Sequence, residues 1–120
     1  MDSEYTIDML KDIVKKFCDA RDWSQFHNPK DLAIGISTEA GELLDLFRFK
    51  SEDQIENIMN GKKREQVNDE VADILYFILR FAQMNNIDLA TELKRKIEKN
   101  GLKYPIEKAK GCNEKYKDLN

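Results

Sequence analysis

The chain has 120 residues, a net charge of −3, 36% charged residues and 41% apolar residues. This length predicts one domain with its own core, and the acidic balance disfavours a nucleic-acid partner, which requires a basic face. One His and two widely separated Cys cannot supply a zinc site of the usual nitrogen and sulfur ligands within one chain.

The start of the chain and its apolar runs predict a cytoplasmic protein. Residues 1–4 are polar and acidic, unlike a secretory signal. The longest apolar run, residues 74–79, is far shorter than the ~20 residues that a membrane span needs. We therefore expect no membrane partner and a reducing compartment, with Cys18 as a core thiol and Cys112 outside the core.

Helical periodicity and capping signals predict an all-α bundle of about four main helices. Thr6 and Asn28 are suited to cap the first two helices, Pro29 fits a first helical position, and Asp88 can cap the last helix. Beyond it we expect an irregular tail over residues 102–120. A short helix is opened by the capping box at 51–54 and closed by Asn60-Gly61, and the last helix is ended by Asn100-Gly101. The long predicted helices cover about residues 6–20, 28–49, 63–85 and 89–99.

Two pairs of acids lie at or beside positions where a helical wheel places apolar side chains. Glu39 and Glu42 form one pair, and Glu70 and Asp73 form the other. At about 100° per residue, Glu39 and Glu70 fall inside the apolar stripes of their helices, whereas Glu42 and Asp73 border those stripes. The i, i+3 spacing alone is a weak signal, because about four such pairs arise by chance at this acid content. The position on the helix carries the information.

Carboxylates that are buried together either have cations nearby or are protonated. Two like charges 4 Å apart repel by about 4 kcal/mol at an effective dielectric of 20. Arg80 is the one obvious cation on the same stretch, and it cannot neutralise four acids. Oxygen ligands of this kind suit Mg²⁺. Gly35 and Gly41, both inside one predicted helix, also favour the close approach of a neighbouring helix or ligand.

Two other interpretations of the acid pairs remain open at this point. Both pairs can be solvated helix faces. A ferritin-like di-iron bundle is a poorer match, because that site needs Glu-x-x-His on two helices and neither pair has a histidine.

The two acid pairs on consecutive long helices resemble the all-α MazG-like nucleoside triphosphate pyrophosphohydrolases. The dCTP pyrophosphatase branch of that family is the closer match, and the resemblance extends over about residues 7–119. It implies a MazG-like helical bundle completed by oligomerisation, as a dimer or tetramer. The blocks that carry it are Arg-Asp-Trp-Ser-Gln-Phe-His-x-Pro at 21–29, Glu-x-Gly-Glu-Leu at 39–43, Asn-x-x-Lys-Tyr-Pro at 100–105 and Lys-Tyr-x-Asp-Leu at 115–119.

The resemblance implies Mg²⁺-dependent hydrolysis of dCTP, or of modified or non-canonical dNTPs, to the monophosphate and pyrophosphate, as nucleotide-pool house-cleaning. The four acids would hold the metal, and Glu39 or Glu42 would accept the proton of the attacking water. The resemblance implies that the base is bound by Trp23, His27, Phe49 and Phe77. It implies that the sugar and phosphates of the nucleotide are bound by Lys96, Asn100, Lys103 and Tyr104.

Departures from the branch pattern bear on the base that is bound. Val14 and Phe77 stand where dCTP-specific relatives carry His and Tyr, with Tyr76 one place before Phe77, and Phe49 stands where they carry Trp. A strict preference for cytosine is therefore not implied.

Independently of the resemblance, residues 74–79 are apolar on nearly every side, which favours a homo-oligomer. Two alternatives to an enzyme are a non-catalytic helical module that binds metal or a basic partner, and a purely structural oligomerisation bundle. The structural bundle leaves the position of Glu39 unexplained.

Overall fold

A computed structural model describes residues 1–119, and these are helical or irregular, with no strand among them. The predicted all-α class is confirmed. Asn120, the end of the predicted tail, lies outside the described residues. The helices are α1 (Ile7–Asp19), α2 (Pro29–Phe47), α3 (Glu52–Asn60), α4 (Arg64–Met84), α5 (Leu89–Lys103) and α6 (Ile106–Ala109), with 3₁₀ turns at Asp2–Glu4, Ser24–Phe26 and Tyr116–Asp118.

Local capping sets where the helices begin. The Thr6 hydroxyl accepts a hydrogen bond from the backbone N–H of Met9 at 3.1 Å, which opens α1. The Asn28 side chain accepts from the N–H of Asp31 at 2.8 Å, which opens α2. Before α3, the reciprocal capping box at residues 51–54 is present as predicted. These starts match the expectations because a cap depends only on neighbouring residues.

The end of α2 lies two residues before its predicted position. The helix ends at Phe47, because Arg48 is extended and Phe49 has a φ of +62°, in the left-handed region. Phe49 therefore lies outside the helix rather than in its last turn.

The predicted stop of the fifth helix at Asn100-Gly101 is wrong. The helix α5 continues through this pair to Lys103, where the N–H of Tyr104 donates to the Asn100 carbonyl at 2.8 Å and Pro105 follows. A glycine stops a helix by adopting a positive φ, and Gly101 does not do so. The predicted irregular tail also contains the short helix α6.

The chain forms two compact units, one over Met1–Asn86 and one from Ile87 onward. The expectation of a single domain stays a prediction. In the first unit, α4 contacts α1, α2 and α3 and is the central helix. The buried apolar side chains of this unit come from all four helices: Val14, Cys18, Leu32, Ile58, Val67, Leu79 and Ala82.

The helices α2 and α4 pack antiparallel and unusually close together at Gly35. A Cβ atom at Gly35 would lie 2.5–2.8 Å from three ring atoms of Phe77, so no larger residue fits without movement. One turn further along α2 is Glu39, and one turn back along α4 from Phe77 is Asp73. The contact expected at Gly35 is therefore present. At Gly41, by contrast, a Cβ atom would meet no neighbouring side chain or helix within 4 Å.

Two further expectations from the sequence concern cysteines and membrane spans. Cys18 is buried, with its sulfur 3.2 Å from the Tyr76 hydroxyl, and Cys112 is exposed; both are free thiols. Among the helices described, none combines the length and the apolar character needed to cross a bilayer.

Candidate metal centre and its surroundings

Acidic side chains from α2 and α4 meet in the first unit. Glu39, Glu70 and Asp73 each place a carboxylate oxygen within 4.8 Å of the others. Glu42 lies within hydrogen-bond reach of Glu39 and Glu70. Glu39 and Glu70 are partly buried, whereas Glu42 and Asp73 are exposed. This is the difference within each pair that the helical wheel predicted, so all four predicted metal ligands come together in one cluster.

Two oxygens of this cluster have no partner. The Oε2 atoms of Glu39 and of Glu70 are buried and accept no hydrogen bond. A buried polar atom without a partner costs about 1–3 kcal/mol, and more when the group is charged. Within residues 1–119 no hydrogen-bond donor reaches these two oxygens, so the cluster needs a proton or a cation from elsewhere.

The missing counter-charge also changes proton affinity. The hydrogen bond shared with Glu42, followed by burial and by the negative charges of Glu42 and Asp73, raises the pKa of Glu39 to about 7. The pKa of Glu70 is raised as well, first by burial and then by Glu42. Either a proton or a cation must reside among these carboxylates near neutral pH.

Arg80 is not the partner of these acids, contrary to the possibility considered from the sequence. It is 1% exposed, and it donates to the Nδ1 atom of His27, to the Ser24 hydroxyl and to the side-chain oxygen of Gln83. The ion pairs at Glu4, Asp12, Asp19, Asp45 and Glu92 involve well-exposed acids outside the cluster. The acid cluster is left without an internal cation in the part of the chain described.

Aromatic side chains extend from the α1–α2 loop to α4. They pack edge to face in a continuous series, with ring centroids 5.0–6.3 Å apart. Trp23 remains 37% exposed and Phe17 43% exposed, so the series is accessible to a ligand. Its members, called here the aromatic cluster, are His27, Trp23, Phe17, Tyr76 and Phe77.

The aromatic cluster adjoins the acid cluster through α4. Phe77 follows Asp73 by one helical turn, which puts both side chains on the same face of the helix. A cavity of about 190 Å³ opens beside the aromatic cluster, and it is lined only by Ile13, Val14, Phe17 and Tyr76. Val14 makes this cavity apolar at the position where a histidine would make it polar.

Sequence reasoning placed Trp23, His27 and Phe77 in a base pocket, and the structure brings these three together. It missed Phe17, whose position on the apolar face of α1 is typical of ordinary core. It also missed the bonds of Arg80, although an arginine inside the apolar run 78–82 was a visible signal.

Phe49 is not part of the aromatic cluster. It is 91% exposed, and the side-chain contact found for it is with the guanidinium of Arg48, 4.6 Å from its ring centroid. The structure therefore brings Phe49 to no other predicted site residue within the first unit.

The remaining predicted site residues belong to the second unit. Lys96, Asn100 and Lys103 are spaced at i, i+4 and i+7, so they share one face of α5. Desolvation, followed by the positive charge of Lys103, lowers the pKa of Lys96. Tyr104 packs edge to face on Tyr116, and the Lys103 ammonium lies 4.7 Å from the Tyr116 ring centroid. This face of α5 has the positive charge that a phosphate group requires.

The comparisons with known proteins agree on one family. The MazG-like family model matches residues 34–119. Two curated relatives named dCTP pyrophosphatase 1 are similar over nearly the whole chain. The protein of Bos taurus is 30% identical, and the match covers 98% of this chain and 70% of the relative. The protein of Rattus norvegicus is 31% identical, and the match covers 97% of this chain and 69% of the relative. A solved pyrophosphatase from Archaeoglobus fulgidus is 36% identical, with a TM-score of 0.78 over 84% of this chain and 94% of that one.

The all-α fold of this chain is thus shared with a solved pyrophosphatase. The chain belongs to the MazG-like family. The resemblance drawn from the sequence is confirmed, and so is the predicted MazG-like fold.

Proposed function

We propose that this protein hydrolyses (deoxy)nucleoside triphosphates, dCTP or modified and non-canonical dNTPs in particular, to the monophosphate and pyrophosphate with the help of Mg²⁺. Its family and its relatives make it an enzyme of the nucleoside triphosphate pyrophosphohydrolase class. The observation that carries the proposal is the cluster of Glu39, Glu70 and Asp73 with two buried, unpartnered oxygens.

The donor set of the acid cluster fits a hard divalent cation. Its donors are all carboxylate oxygens, and few protein ligands are needed for an ion that keeps several waters. Glu39, Glu70 and Asp73 would hold the ion, with Glu42 at the exposed edge. When bound, Mg²⁺ neutralises negative charge on the triphosphate and makes water more acidic.

Within the same cluster, Glu39 and Glu42 are the candidates to accept the proton of the attacking water. Glu39 has a pKa near neutrality in the absence of metal, and Glu42 is the more exposed to water. A base must lie within hydrogen-bond reach of the proton that it takes, and the exposed edge of the cluster is where water enters.

The aromatic cluster supports the assignment of the base site. Trp23 is 37% exposed and offers a ring on which a nucleobase can stack, with Phe77 at the other end of the series, and stacking tolerates different bases. The apolar cavity beside Val14 offers no polar group to cytosine. We propose that Phe49 and the face of α5 carrying Lys96, Asn100 and Lys103, followed by Tyr104, complete nucleotide binding, as the resemblance implies.

We further propose that the enzyme is a homo-oligomer, a dimer or tetramer. Large apolar side chains of α1, α2 and α4 stay exposed in the single chain, at 42–60% for Ile13, Ile34, Leu44, Val71 and Leu75. Apolar area of this kind on several helices is typical of subunit contacts. A cytoplasmic location stays a prediction from the sequence.

A substrate panel tests the proposed function. The purified protein is incubated with each canonical dNTP and NTP, and with cytosine-modified dNTPs, in the presence of Mg²⁺ or a chelator. Monophosphate and pyrophosphate that form only with Mg²⁺ are the expected products. Diphosphate and phosphate would show a different reaction. Magnesium binding without turnover of any nucleotide would favour the non-catalytic metal-binding module.

A further inference from the structure

A buried arginine links α4 to the loop that carries two of the predicted base-site residues. Arg80 Nε donates to His27 Nδ1 at 2.9 Å, and its two terminal nitrogens donate to the Ser24 hydroxyl at 3.0 Å and to the Gln83 side-chain oxygen at 2.6 Å. All three acceptors are uncharged. The nearest acid in this network is Asp19, which accepts from the Ser24 hydroxyl at 3.4 Å.

The chemistry of this contact fixes the proton on the histidine. A guanidinium always carries its protons and has no lone pair to offer, so the nitrogen facing it must be an acceptor. His27 Nδ1 is therefore unprotonated, and the single proton of the neutral ring lies on Nε2. An imidazolium would place an N–H against the N–H of Arg80, so the contact and a charged His27 exclude each other.

The surroundings of His27 favour the same neutral form. Burial, followed by the positive charge of Arg80, lowers the pKa of His27. Trp23 packs edge to face on the imidazole with ring centroids 6.3 Å apart, so the histidine belongs to the aromatic cluster.

We propose that Arg80 is a positioning residue that holds His27 as a neutral imidazole protonated on Nε2, so that His27 meets the nucleotide as a hydrogen-bond donor to an uncharged acceptor. Such an acceptor is a carbonyl oxygen or an unprotonated ring nitrogen of the base. His27 then serves neither as a cation for phosphate nor as a proton acceptor. The part of this proposal that concerns the nucleotide rests on the function proposed above; the protonation of His27 does not.

The protonation can be observed directly, because His27 is the one histidine of the chain. Two-bond ¹H–¹⁵N correlation spectra of the full-length protein with labelled histidine give one pair of imidazole nitrogens. We expect Nδ1 at the chemical shift of an unprotonated nitrogen and Nε2 at that of a protonated nitrogen at pH 7. A proton on Nδ1, or on both nitrogens, would overturn the proposal without any variant having to fold.

Substitutions at His27 test the role toward the nucleotide. The amide nitrogen of Gln reaches the place of imidazole Nε2, and that of Asn reaches the place of Nδ1. We expect His27→Gln to keep KM within about threefold of the native value and His27→Asn to raise it about tenfold, the usual effect of one lost hydrogen bond. The reverse order would contradict a donor at Nε2.

Substitutions at Arg80 test the positioning role. Arg80→Met and Arg80→Lys both remove the Nε–H donor, and the lysine keeps the charge. We expect both to raise KM about tenfold with a much smaller change in kcat, and to let the Nδ1 proton appear in the spectra. An unchanged KM together with an unchanged tautomer would defeat the proposal. If the native protein turns over no nucleotide, the proposed function fails, while the spectra still decide the protonation of His27.

Discussion

The helix α4 carries buried charge of both signs, and its two charged regions are built in opposite ways. Glu70 lies in an acid cluster with unpartnered oxygens, whereas Arg80, ten residues later, makes three hydrogen bonds to neutral groups. Ten residues of helix separate the two by about 15 Å. The acid cluster has buried oxygens without a partner, whereas each side-chain nitrogen of Arg80 has a hydrogen-bond acceptor. An incomplete charged cluster indicates where a ligand binds, and a complete one indicates which side chains are held in place.

Removing the carboxylate of Glu39 from the acid cluster should have the largest effect on activity. Glu39→Gln is expected to reduce turnover of the preferred nucleotide by at least about 10³-fold, because a partly buried ligand oxygen is lost. The same change should raise the melting temperature of the metal-free protein, since it relieves repulsion among the acids. Activity assays and thermal melts measure the two effects.

The matched control for this prediction is Glu56→Gln, an identical change at an exposed position of α3. Glu56→Gln should change neither the turnover nor the melting temperature. Native-like turnover in Glu39→Gln would remove Glu39 from the proposed site.

Supplying the missing cation should stabilise the protein without any substrate. At a Mg²⁺ concentration of about 100 Kd, the free energy of unfolding should rise by about 2.7 kcal/mol. Denaturant melts with Mg²⁺ and with a chelator give this difference. Glu70→Gln should lose most of it and Glu56→Gln should keep it; an equal gain in both variants would mean that the ion binds elsewhere.

Changing the distance between α2 and α4 should have a smaller effect. In Gly35→Ala the new methyl group meets the Phe77 ring, and overpacking of about 1–3 kcal/mol exceeds the gain of about 1 kcal/mol in helix propensity. We expect a net loss of up to about 2 kcal/mol in chemical denaturation.

The matched substitution for this prediction is Gly41→Ala, where the new methyl group would meet no neighbouring side chain or helix within 4 Å. Measured in the metal-free protein, it should gain up to about 1 kcal/mol. Equal effects at the two glycines would show that the close contact with Phe77 does not matter.

Protonation of the acid cluster should stabilise the metal-free protein less than Mg²⁺ does. The resulting pH dependence of stability is the smallest of the expected effects. The folded pKa of Glu39 is about 7, above its ordinary value of 4.5, so the folded state binds this proton more tightly than the unfolded state does. Stability of the metal-free protein should therefore fall as the pH rises from 6.5 to 8.

The lowered pKa of His27 makes an opposing contribution, because stability from this group rises with pH. That rise occurs mainly below the ordinary pKa of 6.5 and fades within about one pH unit above it. Stabilisation by Mg²⁺ should increase over the same range from 6.5 to 8, because the ion competes with the proton. Melting temperatures at several pH values measure both trends, and a metal-free stability that rises over this range would contradict the raised pKa.

The acid cluster and the contacts of Arg80 also differ in how well they could be predicted from the sequence. The burial of Glu39 and Glu70 was predictable, since helical periodicity reports which face a residue occupies. The partners of Arg80 were not, because His27 and Ser24 lie 53 and 56 residues away in the chain. Periodicity says that Arg80 faces inward, and it says nothing about what the guanidinium meets there.

Helix ends show the same limit at a smaller scale. The caps at Thr6 and Asn28 were predictable because the hydrogen bond reaches only three residues. The continuation of α5 through Gly101 was not, since glycine permits a helix stop without requiring one.

The acids of α2 and α4 are brought level by the packing of Gly35 against Phe77, a contact made by the helices themselves. The stretch between these helices, residues 48–63, contributes none of the four carboxylates. Within that stretch Ile58 belongs to the core, whereas its exposed positions can change without moving the acidic pairs. Phe49 lies in this connecting segment, so a change in its proposed contact with the base leaves the four carboxylates where they are.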